Sequence, residues 1–196
     1  GNERGACNSY YACQYAGEEG YAEIARGACF GEEACTEVGY TAGYAKIGAG
    51  SCKGNRACYY AGYNGGNATI GKDSCMGDYA CVLAGSEQGK AAIGDESCTD
   101  YTACDYAGFS GEAIIGDGSC KGYLGCGYAG SDQGYAEVGD ESCAFGDYSC
   151  GNVAYDGGKA IIADSSCKGY DACYDAGSHD GDVKIRAKSC RSYEAC

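Results

Sequence analysis

The segment IGDGSCKGYLGCGYAG, residues 115–130, contains the pattern that decides the fold. An aliphatic residue is followed by glycine and aspartate, two cysteines stand six positions apart, and a Tyr-Ala-Gly triplet closes the segment. The same order returns along the chain as an idealised unit, I-G-D-x-S-C-x-G-Y-x-A-C-x-Y-A-G-x-x-x-G-x-A-x. Self-similarity at a fixed short period is typical of repeat architectures, so we predict a single repeat domain over residues 1–196.

The 18 cysteines fall into two interleaved series. Members of each series recur every 22 to 24 residues, and each member of the first series precedes its partner at C-x5-C spacing. The exception is the C-x6-C pair Cys143 and Cys150, so we expect a bulge or a looser turn near Phe145. The first series is Cys7, Cys29, Cys52, Cys75, Cys98, Cys120, Cys143, Cys167 and Cys190; the second is Cys13, Cys35, Cys58, Cys81, Cys104, Cys126, Cys150, Cys173 and Cys196.

We predict that each close pair forms one disulfide within its own coil. Pairing along a series, between neighbouring coils, is the alternative, but each series has nine members and would strand one thiol. A disulfide scaffold from an oxidising compartment is favoured over zinc binding, because the chain has no CxxC pair and one histidine. The predicted bridges are Cys7–Cys13, Cys29–Cys35, Cys52–Cys58, Cys75–Cys81, Cys98–Cys104, Cys120–Cys126, Cys143–Cys150, Cys167–Cys173 and Cys190–Cys196.

The period also predicts the architecture. Helical repeats are longer than this unit, which is also rich in glycine. Segments such as residues 20–24, GYAEI, alternate small and polar side chains with the period of a strand. We therefore predict an all-β fold, a parallel β-solenoid (β-helix) of about nine 22–24-residue coils with one disulfide per coil. Each coil should hold two or three short strands with glycine corners around a thin core of Ala, Ile, Val and Cys. At about 4.8 Å per coil the rod should be about 40 Å long.

The charge of the chain excludes several classes of partner. The net charge is −14 and the sequence pI is about 4.3, which argues against nucleic acid and against anionic membrane surfaces. No apolar run approaches the length needed to span a bilayer, so membrane insertion is not expected. With its cysteines, the chain is predicted to be secreted, extracellular or at the cell surface, as a mature form or an excerpt of a longer array.

Tyrosines occupy recurring positions and suggest ladders of rings along the rod. Such ladders rigidify a sheet, and on the surface they offer a binding face for ice, polysaccharide or protein. The main predicted ladder is Tyr10, Tyr101, Tyr123, Tyr170 and Tyr193; a second is Tyr15, Tyr60, Tyr106 and Tyr128; a third is Tyr21, Tyr44 and Tyr135.

Carboxylates also recur, at the aspartate of the idealised unit in four consecutive coils. They repel one another unless water or a cation screens them, so calcium is a possible cofactor here. Lys72 and Arg26 take this position in other coils, and no complete calcium motif is present. The four residues are Asp95, Asp117, Asp140 and Asp164.

Two kinds of glycosylation are possible. Asn67-Ala68-Thr69 is an N-glycosylation sequon on a predicted outward strand edge. The serines that precede the first-series cysteines, from Ser51 to Ser189, point outward if the cysteines point inward. They could then carry O-glycans, or simply hydrogen-bond to the neighbouring backbone.

Catalysis has little support in the sequence, and we predict that the protein is not an enzyme. His179 stands alone in a glycine- and aspartate-rich turn. Acidic neighbours such as Asp95 and Glu96 cannot face each other as an acid–base pair. Neither a nucleophile motif nor a phosphate-binding loop is present.

The pattern S-C-x-G-Y-x-A-C-x-Y-A-G, seen at residues 119–130, resembles the cysteine-rich tandem repeats of secreted proteins from diatoms and related algae. The resemblance covers the whole chain and implies an extracellular location more than an activity. The architecture is also similar to the disulfide-ribbed insect antifreeze β-solenoids. Those carry Thr-x-Thr or stacked Tyr arrays on one flat face, whereas this chain has five threonines and no Thr-x-Thr.

These observations predict an extracellular structural rod that forms part of a fibre, surface appendage or matrix. The alternatives are an ice-binding (antifreeze) protein and a carbohydrate-binding or adhesive module. Residues 1–37 carry a net charge of −5 and residues 183–196 carry +3, and no polar cap is evident at either end. We therefore expect head-to-tail self-association, unless the chain is part of a longer array.

Overall fold

The computed structural model describes residues 5–130, 134–155, 159–176 and 182–196, which form a parallel β-solenoid with a disulfide in each coil. The predicted all-β solenoid is confirmed. Within these ranges there is no helix long and apolar enough to cross a membrane. Each strand has four residues: β1 (Tyr21–Ile24), β2 (Tyr44–Ile47), β3 (Asn67–Ile70), β4 (Lys90–Ile93), β5 (Glu112–Ile115), β6 (Tyr135–Val138), β7 (Lys159–Ile162) and β8 (Asp182–Ile185).

The eight strands form one parallel sheet, in which each strand pairs with the strands before and after it in sequence. Every pair is in the same register, so that Ala22 faces Ala45 and Ile24 faces Ile47. Strand residues alternate in burial, because successive side chains point to opposite faces of a strand. The second and fourth residues of the strands therefore form an alanine column, with Val183 in β8, and an isoleucine column, with Val138 in β6, along the interior. The rest of the core is alanine, valine and cystine, as predicted.

The expectation of two or three strands per coil was wrong. Outside the sheet, the described residues hold only two isolated bridges, which join Phe30, Lys53 and Met76. The other side of each coil is a chain of β-turns, as residues 54–63 illustrate. There the N–H of every second residue donates to the carbonyl three residues back, at 2.9–3.3 Å. The intervening residues have positive φ, which is the geometry of consecutive type II turns.

The glycine corners that the sequence suggested are therefore only part of the turn chemistry. Residues such as Arg56, Cys58 and Tyr60 have φ values of 55–63°, a region that costs a non-glycine residue about 1–3 kcal/mol. Hydrogen bonds to both neighbouring coils hold them there: the Cys58 N–H donates to Ala80 in the next coil and the Arg56 N–H to Glu32 in the preceding one. The turns are thus stabilised by stacking, not by their own residue preferences.

One disulfide per coil is confirmed, and the bridges join the close pairs. All bridged cysteines except Cys7 lie in the left-handed region, and those from Cys29 to Cys173 are completely buried. Nine bridges are linked by eight strands, so the solenoid has eight complete repeats where about nine coils were expected. The nine bridges are Cys7–Cys13, Cys29–Cys35, Cys52–Cys58, Cys75–Cys81, Cys98–Cys104, Cys120–Cys126, Cys143–Cys150, Cys167–Cys173 and Cys190–Cys196.

The serines before the first-series cysteines are buried from Ser51 to Ser166 and half-buried at Ser189, so the interpretation that they point outward and could carry O-glycans was wrong. Ser51 donates its hydroxyl to the carbonyl of Gly71 at 2.6 Å and accepts the N–H of Ser74 at 3.1 Å. Ser97 and Ser119 repeat the arrangement in later coils. Each hydroxyl bridges two coils and satisfies a buried donor and a buried acceptor, so this serine column stabilises the stack.

Candidate functional site

The aspartate column has a structural role of its own. Each carboxylate accepts a backbone N–H from the same position of the preceding coil, at 2.7 to 3.1 Å. The donors to Asp95, Asp117, Asp140 and Asp164 are, in order, Lys72, Asp95, Asp117 and Asp140. Each N–H group thus stabilises the carboxylate that it contacts and links two coils, while the four negative charges remain.

Calcium gains no support from the geometry. Across the described ranges, no three carboxylates bring their oxygens within 4.8 Å of one another. The three clusters that meet this distance consist of cysteines already joined in disulfides. Asp95, Asp117 and Asp140, with Glu96 and Glu141, line an open acidic depression, which by itself is ordinary solvated surface.

The main tyrosine ladder exists in the second half of the solenoid. The rings of Tyr101 and Tyr123 stack with centroids 5.7 Å apart, and those of Tyr170 and Tyr193 stack at 5.3 Å. Tyr148 joins the two pairs, with its centroid 5.2 Å from Tyr123 and 6.0 Å from Tyr170. Tyr148 stands one place after the ladder position, which Asp147 holds in this coil, so its ring reaches the ladder from the neighbouring column. The spacing pattern had therefore missed it.

Tyr10 does not belong to this ladder. Its ring contacts Tyr11 alone among the ring contacts of the described residues, and the side chain is 68% exposed. Glu32, Asn55 and Asp78 take the equivalent position in the next three coils. The second and third ladders are similarly short: Tyr106 stacks on Tyr128 at 5.2 Å, Tyr21 stacks on Tyr44 at 5.1 Å, and Lys159 covers Tyr135.

The outer face of the sheet is mixed in charge and shape. Asn67, in the sequon, and Thr69 are both exposed on β3. Glu23 forms an ion pair with Lys46 at 3.8 Å, so neighbouring strands display opposite charges and not a repeated hydroxyl array. The third strand positions read Glu23, Lys46, Thr69, Ala92, Ile114, Glu137, Ile161 and Lys184.

A concavity lies on the turn side, between two groups of tyrosines. It is a trough of about 520 Å³, within the range of small-molecule sites. Tyr128 and Tyr155 form one perpendicular ring pair, with centroids 5.5 Å apart. Tyr148 and Tyr174 form another at 6.0 Å. The lining residues are Leu124, Gly127, Tyr128, Tyr148, Gly151, Asn152, Tyr155, Tyr174 and Asp175.

Two glycines open this trough. Gly127 and Gly151 directly follow the second cysteine of their coils, and neither has positive φ, so the backbone does not require glycine there. A Cβ at Gly127 would lie 3.0 Å from Leu124 Cδ2, and one at Gly151 would lie 2.9 Å from Tyr174 ring carbons. Every other coil has a side chain at this position: Gln14, Thr36, Tyr59, Val82, Asp105 and Tyr174.

The trough is acidic. Asp175 lines it, and Asp105 stands in the column position directly before Gly127. The buried Oδ1 of Asp105 has no hydrogen-bond partner among the described residues. Burial raises the pKa of this carboxyl to about 7, although a hydrogen bond from the Tyr106 backbone opposes the shift. No Lys or Arg is among the described residues that line the trough.

The sequence prediction missed this trough because the glycines were taken as repeat-corner residues. The usable signal was the position after the second cysteine, where two consecutive coils lose a side chain that all others have. His179, which the sequence analysis considered as a catalytic residue, lies outside the described residues.

The model of one protein family, described as Domain of unknown function (DUF7640), matches three overlapping stretches of the chain, residues 2–87, 38–107 and 63–158. Together these stretches cover well over half of the 196 residues. No curated protein and no solved structure matches the chain.

Proposed function

We propose that this chain, which belongs to the family described as Domain of unknown function (DUF7640), is an extracellular structural rod, a subunit or segment of a fibre, surface appendage or matrix. The observation that carries the proposal is continuity. The same hydrogen bonds link each coil to the next, through strand pairs in one register and a buried serine column, and a cystine braces each coil internally. A stack held this way resists bending, because deformation anywhere breaks several hydrogen bonds together.

An extracellular site fits the covalent chemistry. So many disulfides indicate an oxidising environment, since cytosolic thiols are kept reduced. We infer secretion from this, and the resemblance to secreted algal repeats and to the insect antifreeze solenoids supports it. Asn67 is exposed, so it could carry an N-glycan in that compartment.

The proposed rod extends by head-to-tail association of copies. In the described chain β1 and β8 each pair with one neighbour, so each has a second strand edge available. Basic side chains at residues 183–196 would approach the acidic residues near β1 of the next copy. A contact of this kind is heterologous and does not close, so it propagates as a filament.

Negative-stain electron microscopy and light scattering of the purified protein test the proposal. We expect rods that lengthen at low salt and shorten as salt screens the end charges. Lys184→Glu with Lys188→Glu should abolish the growth, whereas the matched pair Lys90→Glu with Lys159→Glu, away from the ends, should not. A strictly monomeric species at low salt and high concentration would contradict self-association.

Carbohydrate binding is the second candidate function, and the stacked, partly exposed rings of Tyr101 and Tyr123 favour it. A glycan array tests it. Ice binding, the other alternative, has less support because the sheet face lacks a regular hydroxyl array, and a thermal hysteresis measurement would test it.

A further inference from the structure

We propose that the tyrosine-lined trough binds an alkylated ammonium group, such as a quaternary ammonium head, between its ring walls and beside the carboxylate of Asp175. This binding site is separate from the structural role proposed for the rod. Its ligand class follows from the shape of the trough, its charge and a comparison with another part of the same solenoid.

The walls supply the attraction. Four tyrosine rings line the trough as two perpendicular pairs, so ring faces and edges point in different directions around one space. A cation over the face of a tyrosine is attracted by the ring quadrupole, and aromatic cages use this to hold quaternary ammonium groups. Asn152 donates to the Tyr174 hydroxyl at 2.9 Å, which fixes one wall.

The charge of the trough selects the sign of the ligand. Asp175 lies in the lining and Asp105 stands at the adjacent column position, while the part of the lining that the structure describes holds no basic side chain. The unpartnered Oδ1 of Asp105 leaves a buried acceptor in this part of the turn face. Asp175 would therefore repel an anion and attract a cation.

Another part of the solenoid already holds a cation between tyrosine rings. Three coils earlier, the guanidinium of Arg56 lies 5.9 Å from the ring centroids of both Tyr59 and Tyr79. Its Nε is also 2.6 Å from a carboxylate oxygen of Glu33. A cation between two tyrosine rings and a carboxylate is thus already part of the solenoid.

At the trough the corresponding internal cation is missing. Leu124 takes the repeat position of Arg56, Gly127 takes that of Tyr59, and Tyr148 takes that of Tyr79. A ring is kept, the guanidinium is replaced by an apolar side chain, and the glycine leaves the space open. A soluble ammonium group can occupy the space that Arg56 fills for itself.

Titration of the purified chain with choline tests the proposal, with tyrosine NMR signals or calorimetry as the readout. The neutral carbon isostere of choline, in which tert-butyl replaces trimethylammonium, is the control ligand. We expect choline to bind with roughly tenfold higher affinity than the isostere, since the difference reports the cation. Equal binding of the two, or no binding of choline at tens of millimolar, would overturn the proposal.

Two variants locate the site. Gly127→Gln fills the trough with a residue that the same column already has at Gln14, and it should abolish choline binding. Asp175→Asn should weaken binding several-fold, whereas Glu96→Gln, an equal charge change on a different part of the surface, should not.

Circular dichroism checks that each variant keeps the β-solenoid. Unchanged choline affinity in a folded Gly127→Gln variant would place any binding elsewhere and overturn the proposal. Tight binding of cellobiose in the trough, with none of choline, would overturn it in favour of a neutral sugar.

Discussion

The region around Arg56 and the trough around Gly127 are built from the same repeat unit, three coils apart. The space between the rings is filled in the first region and open in the second. In the first, Arg56 contacts two tyrosines and Glu33. In the second, Leu124 and two glycines leave a space of about 520 Å³ between tyrosine walls. The backbone bonds are alike in both regions, so the difference arises from a few outward side chains.

The equivalent positions Thr36 and Asp105 make the contrast sharper. Thr36 precedes Tyr59 in its column and donates its hydroxyl to the Tyr11 carbonyl at 2.7 Å. Asp105 precedes Gly127, and its Oδ1 has no such partner. The repeated backbone therefore tolerates an unpartnered polar atom such as Asp105 Oδ1. A buried polar atom without a partner requires an explanation, and its place beside the open trough suggests a functional one.

Reduction of the disulfides should have the largest effect, because both regions depend on the same cystine ribs. Each small loop contributes about 2 kcal/mol in the chain-entropy model. Nine such contributions exceed the net stability of a typical domain, which is about 5–15 kcal/mol. A reduced and alkylated sample should lose its β circular-dichroism signal. Retention of that signal would show that the small core is sufficient without the bridges.

The second-largest effect should be a pH dependence of stability caused by Asp105. Its pKa is raised from 3.8 to about 7 in the folded state, so the folded protein retains a proton that the unfolded chain releases. Stability should therefore fall as the pH rises from about 4 to about 7, and stay lower above that. The shift corresponds to at most about 4 kcal/mol.

Asp105→Asn should remove this loss, so that the variant is more stable than the natural protein at about pH 8 and similar near pH 4. Urea unfolding at both pH values measures it. Thr36→Val, at the equivalent position of the other region, is the control and should not alter the pH dependence. Parallel pH profiles for the natural protein and Asp105→Asn would refute the assignment.

Loss of a column serine should lower the free energy of unfolding by the same amount in the two regions. Ser51→Ala and Ser119→Ala each leave a buried N–H and a buried carbonyl without their partner, at a cost of about 1–3 kcal/mol. Ser110→Ala, which is not in the column, should cost little. Denaturant midpoints measure the three variants. A clear difference between Ser51→Ala and Ser119→Ala would mean that the frame is not uniform.

The smallest effect should come from exchanging the side chains that distinguish the regions. Arg56→Leu removes a half-exposed cation and should cost about 0.5–1 kcal/mol, measured by thermal unfolding. Leu124→Arg should supply an internal guanidinium to the trough and block choline binding there without unfolding the chain. Undiminished choline binding in Leu124→Arg would contradict the proposal that Leu124 and Arg56 hold equivalent positions beside the same kind of cation site.

Much of the fold could be predicted from the sequence, because a position that is equivalent in every coil carries the same type of residue. The Ile24 and Ala22 columns of β1 show the strand period directly. The single strand per coil could not be predicted, since no propensity places Cys58 or Tyr60 at positive φ. Those backbone angles become favourable only when the neighbouring coils supply hydrogen bonds on both sides.

The sequence by itself determined the period, the number of bridges, the inward columns and the acidity of the surface, because each of these repeats and can be read without knowing distances. The tertiary structure alone decided that Ser51 lies inside, that Asp95 bonds to the coil before it, and that Gly127 opens a trough. The reason is physical: these outcomes depend on which atoms of one coil meet those of the next, some 22 to 24 residues away in sequence. Side chains that break the repeat, such as those around the trough, have no second copy in the sequence to reveal their contacts.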